Sequence, residues 1–178
     1  MATKRTTTTW VDVRAKLADF DRAGLLSLVQ DNMYAASTDN QVFLHARFGL
    51  GDDVLKPYKI IIARWICPDP SKNQDISVAK AKKGISDYKK AIGQPEGLAE
   101  LMVFYCEHGA RFSSEFGLGD EGYLDALVRM FENALVAIEN LPEAQRQPLR
   151  MRLEAVSDLC RDVGYGVSEL LAEFGVNG

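Results

Sequence analysis

The chain has 178 residues, of which 47% are hydrophobic and 26% charged, the composition of a globular domain and not of a disordered or low-complexity segment. At that length folding buries about 70% of the unfolded surface, so neither a disulfide framework nor a structural metal is required. The formal net charge of −4 argues against a dedicated nucleic-acid binder, and no apolar run approaches the ~18 residues that a membrane-spanning helix needs.

Residues 1–8 are expected to form a polar tail, because no apolar stretch precedes Trp10 and a secretory signal needs one. From there to residue 178 the hydrophobic spacing is helical, and a single all-α domain of eight or nine helices is expected, either a bundle or a curved array of helix hairpins. Thr9 and Asp12 form a capping pattern ahead of Val13 and Leu17. Asp21 can cap a second helix with Leu25, Leu28, Val29 and Met33 on one side. Thr38 with Gln41 opens a third, through Phe43 and Phe48 to a stop at Gly49. Segment 58–66 contains the β-branched run Ile60–Ile62, which favours a strand. Tyr58, Ile61, Ile62, Trp65 and Ile66 nevertheless follow the i, i+3, i+4, i+7, i+8 template, so a helix is preferred there, ended by Pro68 and Pro70.

Ser77 is placed to cap a fifth helix whose apolar stripe is Val78, Ala81, Ile85, Tyr88 and Ile92, with Gly93 as its stop. Pro95 suits the first turn of a sixth helix running through Leu101 and Tyr105 to Phe116. Gly109 lies inside it as a point of bending. A seventh helix from Glu121 to about Asn140 turns Tyr123, Leu127, Met130, Phe131, Ala134 and Ile138 inward. Leu149, Leu153, Val156 and Cys160 mark an eighth, with Pro142 and Pro148 obscuring its start. Gly164-Tyr165-Gly166 separates it from a short terminal helix holding Leu170, Leu171 and Phe174.

Three strings, Ile76–Lys90 (ISVAKAKKGISDYKK), Pro95–Tyr105 (PEGLAELMVFY) and Gly164–Gly166, resemble a bacterial helical family of unknown function, with the likeness running from about Leu17 to Phe174. The resemblance implies a compact helical protein and carries over no catalytic residue.

Cys67, Cys106 and Cys160 are odd in number and include no CxxC pair, so reduced thiols and a cytoplasmic location are expected. Cys106-Glu107-His108 invites a nucleophile reading, but neighbours on a helix lie about 100° apart and do not face one another. Cys106 is therefore read as structural. Glu100 and Glu107 are seven apart on one helix face and could offer two oxygens to a metal with His45 and His108. Two histidines without HExxH or ExxH spacing make a weak case. Asp53 and Asp120, after the glycine-bearing turns, read as helix caps; no phosphate loop or EF-hand is present, and no cofactor is expected.

Charge placement is the most informative feature. Residues 56–90 carry nine basic and three acidic side chains, a net +6, whereas residues 91–178 carry six and fifteen, a net −9. Lys80, Lys83 and Lys90 share one side of the fifth helix, and Lys82 and Lys89 lie toward the other flank. These five lysines are the candidate binding residues, with a solvated helix face as the plainer interpretation. The function expected first is a cytoplasmic, non-enzymatic helical interaction module. Its partner would be an acidic protein or a second copy. A nucleic-acid-associated protein using 56–90 is the alternative, followed by a hydrolase or metal enzyme assembled from residues such as His45, Cys106 and His108.

Overall fold

The computed structural model describes residues 9–50, 53–72, 74–117 and 120–160. The polar tail 1–8, the Gly164–Gly166 turn and the terminal helix lie outside the described residues. Among those described there are eight α-helices and no strand: α1 (Trp10–Leu17), α2 (Arg22–Val29), α3 (Thr38–Arg47), α4 (Lys56–Ile66), α5 (Val78–Ala91), α6 (Pro95–Phe116), α7 (Glu121–Glu139) and α8 (Glu143–Leu159). The all-α expectation holds, segment 58–66 included. Contacts gather the chain into two compact units, Met1–Leu44 and His45–Gly178.

In the first unit the helix starts are built as their sequences dictate. The Thr9 backbone N–H donates to the Asp12 carboxylate at 2.8 Å, and the Gly24 N–H donates to the Asp21 carboxylate at 2.7 Å. For α3 the cap is Ser37, whose hydroxyl accepts from the Asn40 N–H at 3.1 Å. Thr38, expected as the cap, is the first helical residue. The end of α2 runs into a π-helical turn, Gln30–Tyr34, closed by the Ala35 N–H on the Gln30 carbonyl. No residue of α1, α2 or this turn is buried. Leu25 and Val29, which periodicity puts on one side of α2, are exposed.

The second unit is organised around α6, which packs against α4, α5, α7 and α8, while α4 also lies on α5 and α7 on α8. Its core contains Ile62, Ile66, Ile85, Leu101, Tyr105, Leu127, Phe131, Ile138 and Leu153. Each such side chain stabilises the fold by about 1.5–3 kcal/mol through burial. The seventh-helix stripe expected from spacing is buried throughout. Asp120 accepts from the Tyr123 N–H at 2.8 Å, and Ser77 from the Lys80 N–H at 3.4 Å, as their sequence positions require.

Two glycines of α6 allow close approach. A Cβ at Gly97 would overlap the Tyr88 hydroxyl, and one at Gly109 would lie 3.2 Å from a Leu127 methyl. Gly109 is buried in an uninterrupted helix and seats Tyr123. The Tyr123 hydroxyl donates to the Ile66 carbonyl at 2.7 Å, with the Gly109 carbonyl 3.2 Å away. Pro148 lies inside α8 and not at its edge. Its ring is exposed, and α8 continues through it to bury Leu149, Leu153 and Val156.

Candidate functional site

The lysine-bearing helix α5 is set in register by Ser77 at its start and by its buried stripe of Ala81, Gly84, Ile85, Tyr88 and Ala91. That stripe leaves Lys80, Lys83, Lys89 and Lys90 exposed, and Lys82 half-buried. The five do not act as one set. Lys83 donates to the carboxylate of Asp87, one turn on, so its charge is already answered. Lys80 instead lies over the indole of Trp65, its ammonium 3.9 Å from the ring centroid, and the Arg64 guanidinium stands 5.1 Å from the same ring. No ion pair among the described residues involves Arg64 or Lys80.

These side chains border a groove of about 660 Å³ lined by Arg64, Trp65, Gln74, Asp75, Ile76, Ser77 and Lys80. The Ser77 N–H donates to the Trp65 carbonyl at 2.9 Å, which fixes the start of α5 against the end of α4. Sequence reasoning found Lys80 but assigned Trp65 to the apolar stripe of α4. Trp65 is half-buried, with its ring presented to two cations.

A second polar cluster joins α4, α6 and α8. Arg152 donates from Nε to Glu107 Oε1 at 2.8 Å and from a terminal nitrogen to Glu107 Oε2 at 2.7 Å, a two-pronged pairing. It also reaches Glu100 Oε2 at 2.5 Å, and Lys59 donates to Glu100 Oε1 at 2.6 Å. Burial would push the Glu100 carboxyl up, but the hydrogen bonds from Arg152 and Lys59 outweigh it and hold it below the ordinary carboxylate value. Glu100 and Glu107 therefore share a face as their spacing implies, and the partner they meet there is a guanidinium. Among the described residues no group of three or more His, Cys, Asp or Glu is placed to hold a metal ion.

Lys59 also stands 5.4 Å from the Phe104 ring, which lies 4.1 Å from the His108 ring. Burial, and then the nearby Arg111 charge, push the His108 imidazole below its ordinary value of 6.5. Cys106 is fully buried, and burial pushes its thiol well up, so the thiolate needed of a nucleophile is disfavoured there. Burial likewise raises Cys160, to about 11. Beside Arg152 a cleft of about 480 Å³ opens between Tyr88, Glu96, Glu100, Gln145 and Leu149.

No helix among the described residues is long and apolar enough to cross a membrane. No protein-family model, curated protein or solved structure matches the chain. What stands is an all-helical protein. The likeness carried by Ile76–Lys90 and Pro95–Tyr105 identifies no family, and it agrees with the helical fold alone.

Proposed function

We propose that the chain is a non-enzymatic helical interaction protein that binds a protein partner, foremost a second copy of itself, through its amino-terminal unit. The observation that carries this reading is the exposure of large apolar side chains there: Trp10 at 67%, Val11 at 73% and Leu26 at 60%. Phe20, Leu25 and Val29 are exposed in the same unit. Trp10 and Val13 share a side of α1, as Leu25 and Val29 do of α2, because residues three or four apart are neighbours on a helix. Apolar and aromatic surface of this kind is what protein interfaces use as anchors, and monomeric proteins seldom leave much of it contiguous.

The charge asymmetry supports the same reading. Basic side chains concentrate in residues 56–90 (+6) and acidic ones in residues 91–178 (−9), so two copies can orient with unlike segments together even though each carries a net −4. The test is the mass of the parent and of a Trp10→Ala/Leu26→Ala variant, measured by sedimentation over a concentration series. Concentration-dependent association by the parent is expected. In the variant it should weaken by about thirtyfold or more for each anchor removed, since anchors at an interface centre contribute ~2 kcal/mol or more each. A parent that stays monomeric throughout, or a variant that associates as the parent does, would overturn the reading.

A further inference from the structure

The groove at Trp65 supports a separate inference that does not rest on the amino-terminal unit. Arg64 and Lys80 converge on one indole from α4 and α5, and neither is paired with a carboxylate among the described residues. Asp75 is the one acidic side chain lining the groove, so the groove keeps a positive excess. The two cations stand 5.1 and 3.9 Å from the same ring centroid; like charges gathered at one ring repel one another, and an oxyanion bound by both relieves that repulsion. A guanidinium offers a planar fork of donors and an ammonium a compact charge, a combination suited to the several oxygens of a phosphate.

We propose that this groove binds a phosphate group, and that the geometry favours the backbone of a single-stranded nucleic acid as its source. Two features support that source over an isolated phosphate. The first is the indole: a phosphate that draws Lys80 and Arg64 toward itself uncovers a ring face on which a base stacks, the pairing of cations and aromatics that single-strand binders use. The second is continuity. Lys90 lies on the same side of α5 as Lys80, about 15 Å further along at 1.5 Å per residue, and is exposed. It is placed to meet a later phosphate of the same strand, whereas Lys83 is occupied by Asp87.

The chain holds two tryptophans, so Trp10→Phe leaves Trp65 as the only indole reporter. In that background the full chain is titrated with an oligo-dT of about 16 nucleotides, the upper end of single-module site sizes. Parallel titrations use inorganic phosphate and polyglutamate. Oligo-dT is expected to change Trp65 emission and to bind with an affinity that falls with salt. Arg64→Gln/Lys80→Gln should weaken binding by about tenfold or more. It should also flatten the dependence of log K on log salt by about 0.7, because the two cations share one phosphate and each single-strand phosphate contact contributes about 0.7. Lys90→Gln should flatten it by about 0.7 and leave the emission change intact. Circular dichroism of both variants should match the parent.

A Trp65 response to inorganic phosphate that is lost in Arg64→Gln/Lys80→Gln, with none to oligo-dT, would uphold the phosphate site and assign it to small phosphate compounds. No response to either phosphate source would overturn the proposal. So would unchanged oligo-dT binding by Arg64→Gln/Lys80→Gln, or polyglutamate binding tighter than oligo-dT.

Discussion

Replacing Arg152 by Met keeps the aliphatic stem against α6 and removes the guanidinium that two carboxylates share. Among the described residues Glu100 and Glu107 would then be left with Lys59 as their ion-pair partner, and Lys59 reaches Glu100 alone. Breaking a fully buried ion pair costs about 3–5 kcal/mol, and an exposed one about 0–1. The Glu100 and Glu107 side chains are 18% and 28% exposed and Arg152 is 34% exposed, so a loss of about 2 kcal/mol is expected between those limits. For a chain of this length that corresponds to a fall of roughly 4–8 °C in Tm.

The effect has a pH signature. In the parent, Glu100 is held below its ordinary value of 4.5, so the folded chain binds fewer protons there than the unfolded one. The stabilisation is fully present above about pH 4.5 and is lost as pH falls through the folded value. Arg152→Met should therefore differ most from the parent near neutral pH, and the two should converge on acidification as Glu100 is protonated. Denaturant melts of both proteins at neutral pH and near pH 3.5 provide the assay. A difference within about 0.5 kcal/mol at neutral pH, the usual spread of surface substitutions, would refute the network's role. A difference that persists undiminished in acid would show that lost packing, and not lost charge, is responsible.

Truncation of Phe131 or Ile85 to Ala, both buried mid-helix, should cost about 2–5 kcal/mol in denaturant melts through lost transfer energy and residual cavity. Gly97→Ala should destabilise by about 1–3 kcal/mol by overpacking, because its methyl would overlap the Tyr88 hydroxyl and lie 3.1 Å from Leu55; a melt equal to the parent's would show that Tyr88 moves freely. Under native conditions a thiol reagent should label the half-buried Cys67 well before the fully buried Cys106, and simultaneous labelling would contradict the packing of α6.

Helices were legible where the information is local. Asp21, Ser77 and Asp120 act within three residues of themselves, and the stripe from Tyr123 to Ile138 announces its own buried side. Ser37 escaped because Thr38-x-x-Gln41 imitates the same capping pattern one residue later. Pro148 misled because a proline is tolerated in the interior of α8 at an exposed position. For α1 and α2, periodicity states which side is apolar and not whether anything covers it. Of the candidate sites, the side of α5 bearing Lys80 and Lys83 followed from spacing. The Lys83–Asp87 pair obeys the i,i+4 rule and was available from the sequence alone. The partnership of Arg152 with Glu100 and Glu107 spans 52 and 45 residues, so only tertiary packing reveals it, although the seven-residue spacing of the glutamates pointed to a shared ligand.

The end of α4 has a consequence for the order in which a ribosome makes this chain. The Trp65 carbonyl finds its donor in Ser77, but the Ile66 carbonyl waits for the hydroxyl of Tyr123, 57 residues later. At about 5–20 residues per second, several seconds of synthesis separate the two. During that interval a nascent chain holds α4 and α5 with one helix terminus hydrated. A fragment halted before α7 should accordingly show faster amide exchange along α4 than the whole protein, because neither the Tyr123 phenol nor the rest of α7 is yet there to hold the end of that helix in place.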